Sequence, residues 1–295
     1  MSKNVKADLM LLLVALFWGT SYYLIDLSLV SVEPLNLNAL RFLIAFFLAL
    51  TLCYKRMKTV NRDTLKYALL LGTILTVVYI AATYGVKYTS LSNAGFLSSL
   101  AVIFTPLLVF AIRRQMPGRK LGISIVLSLI GIALLTLNNA LEPAWGDILC
   151  IICALFYALH IVTTEIVVKK SHIDAFQVGV LQLGFTGLFN LILSLILETP
   201  RFPDTKIAWA AVLALSIFCT GLAFIVQSVA QQYTSASHVG IILTLEPVFA
   251  GVVAYLFAGE ILLPRAYFGA LLLIISLLIM EINFTGNSKK KLMDL

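Results

Sequence analysis

Long apolar runs, interrupted by short polar segments, fill this chain almost from end to end. A helix needs roughly 20 apolar residues to cross the hydrocarbon core of a bilayer. On that ruler the pattern predicts ten helical spans, at about 8–30, 35–54, 64–86, 90–112, 119–137, 146–168, 175–197, 207–229, 236–257 and 264–284. The connections are short, some of about five residues, and leave no room for a soluble nucleotide-binding or catalytic domain. The first run is too long for the core of a signal peptide and lacks a small-residue cleavage site, so it is expected to be retained. The fold class is therefore all-α integral membrane.

The runs are not independent of one another. Tyr88, Thr89, Ser90, Ser92, Gly95, Leu100 and Phe104 recur at one constant offset as Tyr233, Thr234, Ser235, Ser237, Gly240, Leu245 and Phe249. At a slightly different offset, Ala15-Leu16-Phe17-Trp18 pairs with Ala154-Leu155-Phe156-Tyr157, and the match carries on to set Asp26 against Glu165. Agreement at both ends of the unit implies an internal duplication. The expected units are residues 1–137 and 146–295, five spans each, joined by a polar linker at 138–145. An odd number of spans per unit places the second copy upside down relative to the first. Inverted repeats of this kind are how many secondary transporters expose one central site to alternate sides of a membrane.

Composition and charge sharpen this picture. The chain is 61% hydrophobic and only 12% charged, with a mean hydropathy of +1.01. A soluble protein of 295 residues could not bury that much apolar surface. The net charge of +7 does not point to nucleic acid, because the basic residues sit in short clusters between apolar runs. With the amino terminus placed in the cytoplasm, 16 of the 21 basic residues fall in inner segments, four fall in outer ones, and Arg41 lies within a span. That bias predicts that both termini are cytoplasmic. Cys53, Cys150, Cys153 and Cys219 all lie inside apolar runs, and Cys150-x-x-Cys153 reads as two packing residues on one helix face rather than a redox or metal motif.

Several short patterns carry a family resemblance. They are Ala-Leu-Phe-Trp-Gly-Thr-Ser at 15–21; Asn93-Ala94-Gly95-Phe96 followed by Phe104-Thr105-Pro106-Leu107-Leu108; and Ala158-Leu159-His160-Ile161-Val162. Leu245-Glu246-Pro247-Val248-Phe249, then Gly259-Glu260, and Gly269 complete the set. In this order and spacing the chain resembles the drug/metabolite transporter superfamily, specifically the ten-helix EamA-like permeases. The resemblance implies spans 1–4 and 6–9 around a central cavity, with spans 5 and 10 at the periphery. It also implies export or exchange of small polar or amphipathic metabolites. One departure is Arg114-Gln115 where the second repeat has Gly259-Glu260.

Candidate chemistry follows from polar residues at intramembrane depth. Glu246-Pro247 stands where the first repeat has Ala101-Val102. A carboxylate there costs about 2.5–3.5 kcal/mol on insertion scales, so Glu246 reads either as a coupling acid for protons or as a structural donor near the helix break at Pro247. Pro106 is expected to bend the matching fourth span. His160 either lines the cavity or is satisfied by a neighbouring helix. Arg41 either snorkels outward or holds a substrate carboxylate. Asp26 and Glu165 read as solvated helix ends or gating ion pairs, and His172 and His238 as structural or incidental residues near the cytoplasmic surface. Trp18, Tyr22, Tyr79, Tyr157 and Phe224 supply an aromatic lining or ordinary packing. Asn93, Ser98, Ser99, Thr244 and Gln227 add neutral hydrogen-bonding groups.

No Gly-x-Ser-x-Gly, His-Glu-x-x-His or Gly-x-Gly-Asp occurs, so nothing points to an enzyme, a metal or a cofactor. The expected partners are a small-molecule substrate, protons and the lipid bilayer, with the chain a monomer or a homodimer through its glycine-bearing fifth and tenth spans. The expected location is the cell membrane, as a multi-pass protein of bacterial plasma-membrane type. A channel or a non-transporting scaffold is the rival reading.

Overall fold

The computed structural model describes residues 3–89, 97–114, 118–136, 145–258 and 263–281. All regular structure among them is helical: α1 (Lys3–Leu29), α2 (Pro34–Leu52), α3 (Arg62–Tyr88), α4 (Ala101–Arg113), α5 (Arg119–Thr136), α6 (Trp145–Val168) and α7 (Ala175–Leu197). They are followed by α8 (Lys206–Ala230), α9 (Ala236–Phe257) and α10 (Pro264–Glu281). Among the described residues seven helices, α1, α2, α3, α6, α7, α8 and α9, are long and apolar enough to cross a membrane. Ala101–Ile112 and Pro264–Ile279 form shorter apolar helices. Short polar side chains set several starts. Asn61, Asp174, Thr205 and Ser235 each accept a hydrogen bond from a backbone N–H in the following first turn, which satisfies a donor the helix itself cannot.

The principal packing pairs form a closed set. Helix α3 packs on α6 and α1 on α8; α4 packs on α6 and α1 on α9; α3 packs on α7 and α2 on α8. Helix α7 packs on α8 and, less extensively, α2 on α3; helices α2 and α7, α4 and α9, and α5 and α10 pack on each other. Exchanging the first five helices with the second five returns the same list. The α5–α10 seam shows the relation in side chains. Ser124 donates to the carbonyl of Ser276 and Ser276 donates back to that of Ser124, while a Cβ added at Gly131 would sit 2.9 Å from the Gly269 carbonyl. Small residues let the two backbones approach, and the hydroxyls tie them. Small residues of α5 and α10 thus pack these two helices against each other.

Helix ends gather in two layers. One layer joins Asp8 to His238, Arg56 to Asp174, Lys170 to Tyr67 and the side chain of Asn61 to the carbonyl of His172. The other joins Glu198 to the amides of Leu35 and Asn36, Lys87 to Glu33, and Thr89 to Asp147. Residue Trp145 opens α6 in the second layer, whereas Lys3 opens α1 in the first.

Helix α9 is interrupted at Thr244–Leu245, where Thr244 and Leu245 donate to Ile241 and Ile242, three residues back. The matching interruption before α4 falls at Ser99–Leu100, with Val102 and Ile103 donating to Ser99 and Leu100. These are equivalent positions of the two copies. Pro247 lies in the first turn after its break, where a missing N–H costs nothing. Pro106 lies further along, inside α4. Asn93, residues 138–144 of the linker and the Gly259-Glu260 pair lie outside the described residues, as does the side chain of Asp26.

Candidate functional site

A cavity of about 160 Å³ opens where α1, α2, α3, the start of α4, α6, α8 and the broken α9 converge. Its aromatic walls are built from equivalent residues of the two copies. Trp18 meets Tyr157 edge-on, ring centroids 5.6 Å apart at 72°. Tyr79 meets Phe224, 6.0 Å apart at 64°. Residues that touch their own counterparts lie at the pseudo-two-fold axis, so that axis runs through the cavity wall. A larger depression of about 430 Å³ lies along α2 and is walled by Leu40, Leu43, Phe47 and Leu48 with no ionisable group, which is what a lipid-facing groove looks like.

Helix α8 contains a π-helical stretch, Leu215–Leu222. Such stretches shift the register of backbone and side chains within a helix and recur at functional sites. Here the stretch presents the Cys219 carbonyl to the indole Nε1 of Trp18 at 3.0 Å. It also aims the Thr220 hydroxyl at Arg41, whose Nε donates to Oγ1 at 2.8 Å. Arg41 is 1% exposed and lines the cavity. Its guanidinium lies over the Tyr79 ring at 5.1 Å and the Phe42 ring at 5.7 Å, the geometry of cation–π contact. Among the described residues its Nη2 has no hydrogen-bond partner.

Glu246 follows directly on the break in α9 and forms part of the cavity wall. Its carboxyl lies beside the Tyr22 hydroxyl on α1. Gly19 makes this meeting possible: a Cβ there would stand 2.8 Å from the Glu246 carbonyl and 2.6 Å from the Phe249 Cβ. His160 is fully buried behind the wall. Its Nε2 pairs with Gln182 Oε1 at 2.9 Å, and its ring stacks on Tyr157 and meets Phe224 edge-on. Gln182 in turn donates to Ser228. Gln227 lies beside the Tyr157 hydroxyl, yet neither polar atom of its amide nor that hydroxyl makes a hydrogen bond of good geometry. The structure thus brings Trp18, Tyr22, Arg41, Tyr79, Tyr157, Phe224 and Glu246 to one cavity and sets His160 and Gln227 just outside it.

Several contributors went unnoticed in the sequence. Thr220 and the Cys219 carbonyl depend on a π-helical register that periodicity does not reveal. Gly19 carried a signal, a glycine inside an apolar span, but its partner lies on α9. Asp8 was passed over: its Oδ1 lies 3.0 Å from Nε2 of His238, whose ring is buried among the helix ends. Glu165 is not solvated. It is 1% exposed and accepts from the Ala236 amide at 3.0 Å and from Lys169 Nζ at 2.6 Å. A buried carboxylate at that helix start is stabilised by the exposed amides and by Lys169.

A family model for EamA-like transporters matches the chain twice, over residues 5–137 and 144–282. The chain belongs to the EamA-like transporter family. It is therefore a multi-pass membrane protein of a transporter family. An uncharacterized transporter of Archaeoglobus fulgidus is 28% identical over 283 residues, covering 95% of this EamA-like chain and 87% of the relative. A second from the same organism is 27% identical over 270 residues, covering 87% and 91%. The uncharacterized transporter YoaV of Bacillus subtilis is 23% identical over 284 residues, covering 91% and 94%. A solved crystal structure superposes with a TM-score of 0.82 at 15% identity, covering 94% of this chain and 97% of that one. At that identity the likeness is one of fold.

Proposed function

We propose that this protein is a secondary transporter that exports or exchanges small amphipathic solutes, amino acids or similar metabolites, by alternating access coupled to protons. In this reading residues 1–137 and 146–295 are two inverted five-span repeats joined at 138–145, ten spans in all. The layer of helix ends that holds Arg56, Lys169 and Lys170 faces the cytoplasm of a cell whose plasma membrane houses the protein. The observation that carries the reading is the contact of Trp18 with Tyr157 and of Tyr79 with Phe224 across the cavity. Two copies of one unit, opposed around a shared site, can exchange conformations and open that site to either side in turn.

The copies are chemically unequal at the break in α9. Glu246 faces the cavity where the first repeat supplies Ala101. A carboxyl that gains and loses a proton in the wall of a transport cavity is the coupling acid in this reading, with the Tyr22 hydroxyl beside it. Arg41 contacts the solute, and His160 holds Tyr157 and Phe224 in place from behind. Counterflow in proteoliposomes tests the proposal. Vesicles loaded with one solute from a panel of amino acids, amines and organic acids should accumulate a labelled trace of it, saturably, with no imposed gradient. Flux that rises linearly with concentration and shows no stimulation from the opposite side would mark a channel and sink the carrier reading.

A further inference from the structure

Arg41 is a buried charge without a counter-charge. Among the described residues no carboxylate lies within ion-pair distance of it. Its protein partners are the Thr220 hydroxyl and two aromatic faces, and Nη2 is left without an acceptor although the side chain is 1% exposed. A guanidinium removed from water and left partly unpaired is strongly unfavourable. The planar fork with parallel N–H donors is the shape that binds a carboxylate through two hydrogen bonds. The site is also built to hold the cation in place. Thr220 anchors Nε, and the Tyr79 ring supports one face, so the remaining N–H groups are held in a fixed direction beside the cavity.

We propose that the cavity binds the carboxylate of its solute at Arg41, with the apolar body of the solute against Trp18, Tyr157 and Phe224. The substrate class is a small monocarboxylate with an apolar side, whether or not it also carries an amine. The inference rests on the transporter reading only for its biological meaning; the anion site stands or falls on binding alone.

The test uses the full chain purified in detergent and three probes of one shape: hydrocinnamate, its amine and its alcohol. Binding is read from the shift of thermal unfolding with probe concentration. The expected result is stabilisation by hydrocinnamate only, its Kd raised at least about tenfold in Arg41→Gln and less in Arg41→Lys, which keeps the charge but loses the fork. Thr220→Val, which frees Nε while keeping the cation, should weaken hydrocinnamate binding without making the chain bind the amine. Equal stabilisation by the amine or alcohol, no stabilisation by hydrocinnamate, or a Kd unchanged in Arg41→Gln would each overturn the proposal. Counterflow of amines alone would sink the anion site and leave transport standing. Hydrocinnamate binding at Arg41 without any counterflow would do the reverse.

Discussion

Trp18 and Tyr157 occupy the same place in the two copies and meet at the cavity with ring centroids 5.6 Å apart, yet their polar atoms are treated differently. The Trp18 indole donates to the Cys219 carbonyl, while the Tyr157 hydroxyl is buried without a partner. Trp18→Phe should therefore cost about 0.5–1.5 kcal/mol, because it removes a buried hydrogen bond. Tyr157→Phe should leave stability unchanged or raise it by up to about 1 kcal/mol, while lowering the rate of counterflow if the hydroxyl serves the solute. Thermal denaturation of both variants in detergent decides it. Equal destabilisation would mean that the Tyr157 hydroxyl has a partner in the folded protein.

Among the described residues Glu246 is the one acid in the cavity wall, and it lies beside a tyrosine hydroxyl rather than in an ion pair. Glu246→Gln keeps the shape and one hydrogen-bonding oxygen but removes the titrating group. The expected outcome is a folded protein whose counterflow no longer responds to pH, measured with equal pH on both sides across a series of buffers. A pH profile that survives in the variant would assign Glu246 to structure alone.

Gly19 fixes how near α1 comes to the break in α9. A Cβ there would meet the Ala250 amide nitrogen and the Glu246 carbonyl, both at 2.8 Å, and neither is the end of a flexible side chain. Gly19→Ala should cost about 1–3 kcal/mol through overpacking. Gly118, with open space around it, should accept alanine at little cost. Comparable melting curves for the two variants would show that α1 and α9 are further apart than described.

Much of this was legible in the sequence, and the reason is chemical repetition. The recurrence of Tyr88–Phe104 as Tyr233–Phe249 made the duplication visible, and the pairing of Trp18 with Tyr157 and of Tyr79 with Phe224 marked residues that the fold brings into contact. Apolar run length gave the helices because lipid imposes a length on them. Relations that depend on register across distant helices were hidden. Nothing in the string Leu215–Leu222 announces a π-helical stretch, so the bond from Arg41 to Thr220 could not be read. Glu165 looked like a solvated helix end because its partner, the Ala236 amide, is a backbone group on another helix. Proline drew attention to Pro106, whereas the break before α4 sits at Ser99–Leu100, the repeat position rather than the proline position.

Two further equivalent residues tie opposite layers of helix ends. Asp8 on α1 pairs with His238 at the start of α9. Its repeat counterpart Asp147 on α6 accepts from Thr89 at 2.5 Å, at the end of α3. If these contacts hold their respective faces closed during transport, loosening each should expose the cavity to its own side. Cys153 lines the cavity and reports on this. In a background with Cys53, Cys150 and Cys219 changed to serine, a membrane-impermeant thiol reagent should label Cys153 faster from the cytoplasmic side in Asp8→Ala and faster from the outer side in Asp147→Ala. Identical labelling from both sides in the two variants would reduce both contacts to packing.

The pair Arg56–Asp174 joins the short helical turn Tyr54–Met57, which follows α2, to the residue that caps the start of α7, outside the spans, and it predicts an acid sensitivity of known sign. Partial burial works to raise the pKa of Asp174, but the hydrogen bonds from Arg56 and from the Phe176 and Gln177 amides, with the Arg56 charge, outweigh it and hold the carboxyl below its usual value. The same pairing lifts Arg56 above its own ordinary value. A carboxyl depressed in the folded state stabilises the fold fully above its unfolded pKa of about 3.9, and that stabilisation is lost as pH falls through the lower folded value. The pair is solvent-exposed, with side chains 54% and 31% accessible, so screening limits its worth to about 0.5–1 kcal/mol. Asp174→Asn keeps an oxygen for the helix cap but removes the charge. It should lower stability by about that amount at neutral pH and converge with the parent protein below about pH 4. Thermal denaturation between pH 3 and pH 7 measures the gap between the two curves. A gap that is constant across the range would assign the effect to the cap and leave the ion pair without weight.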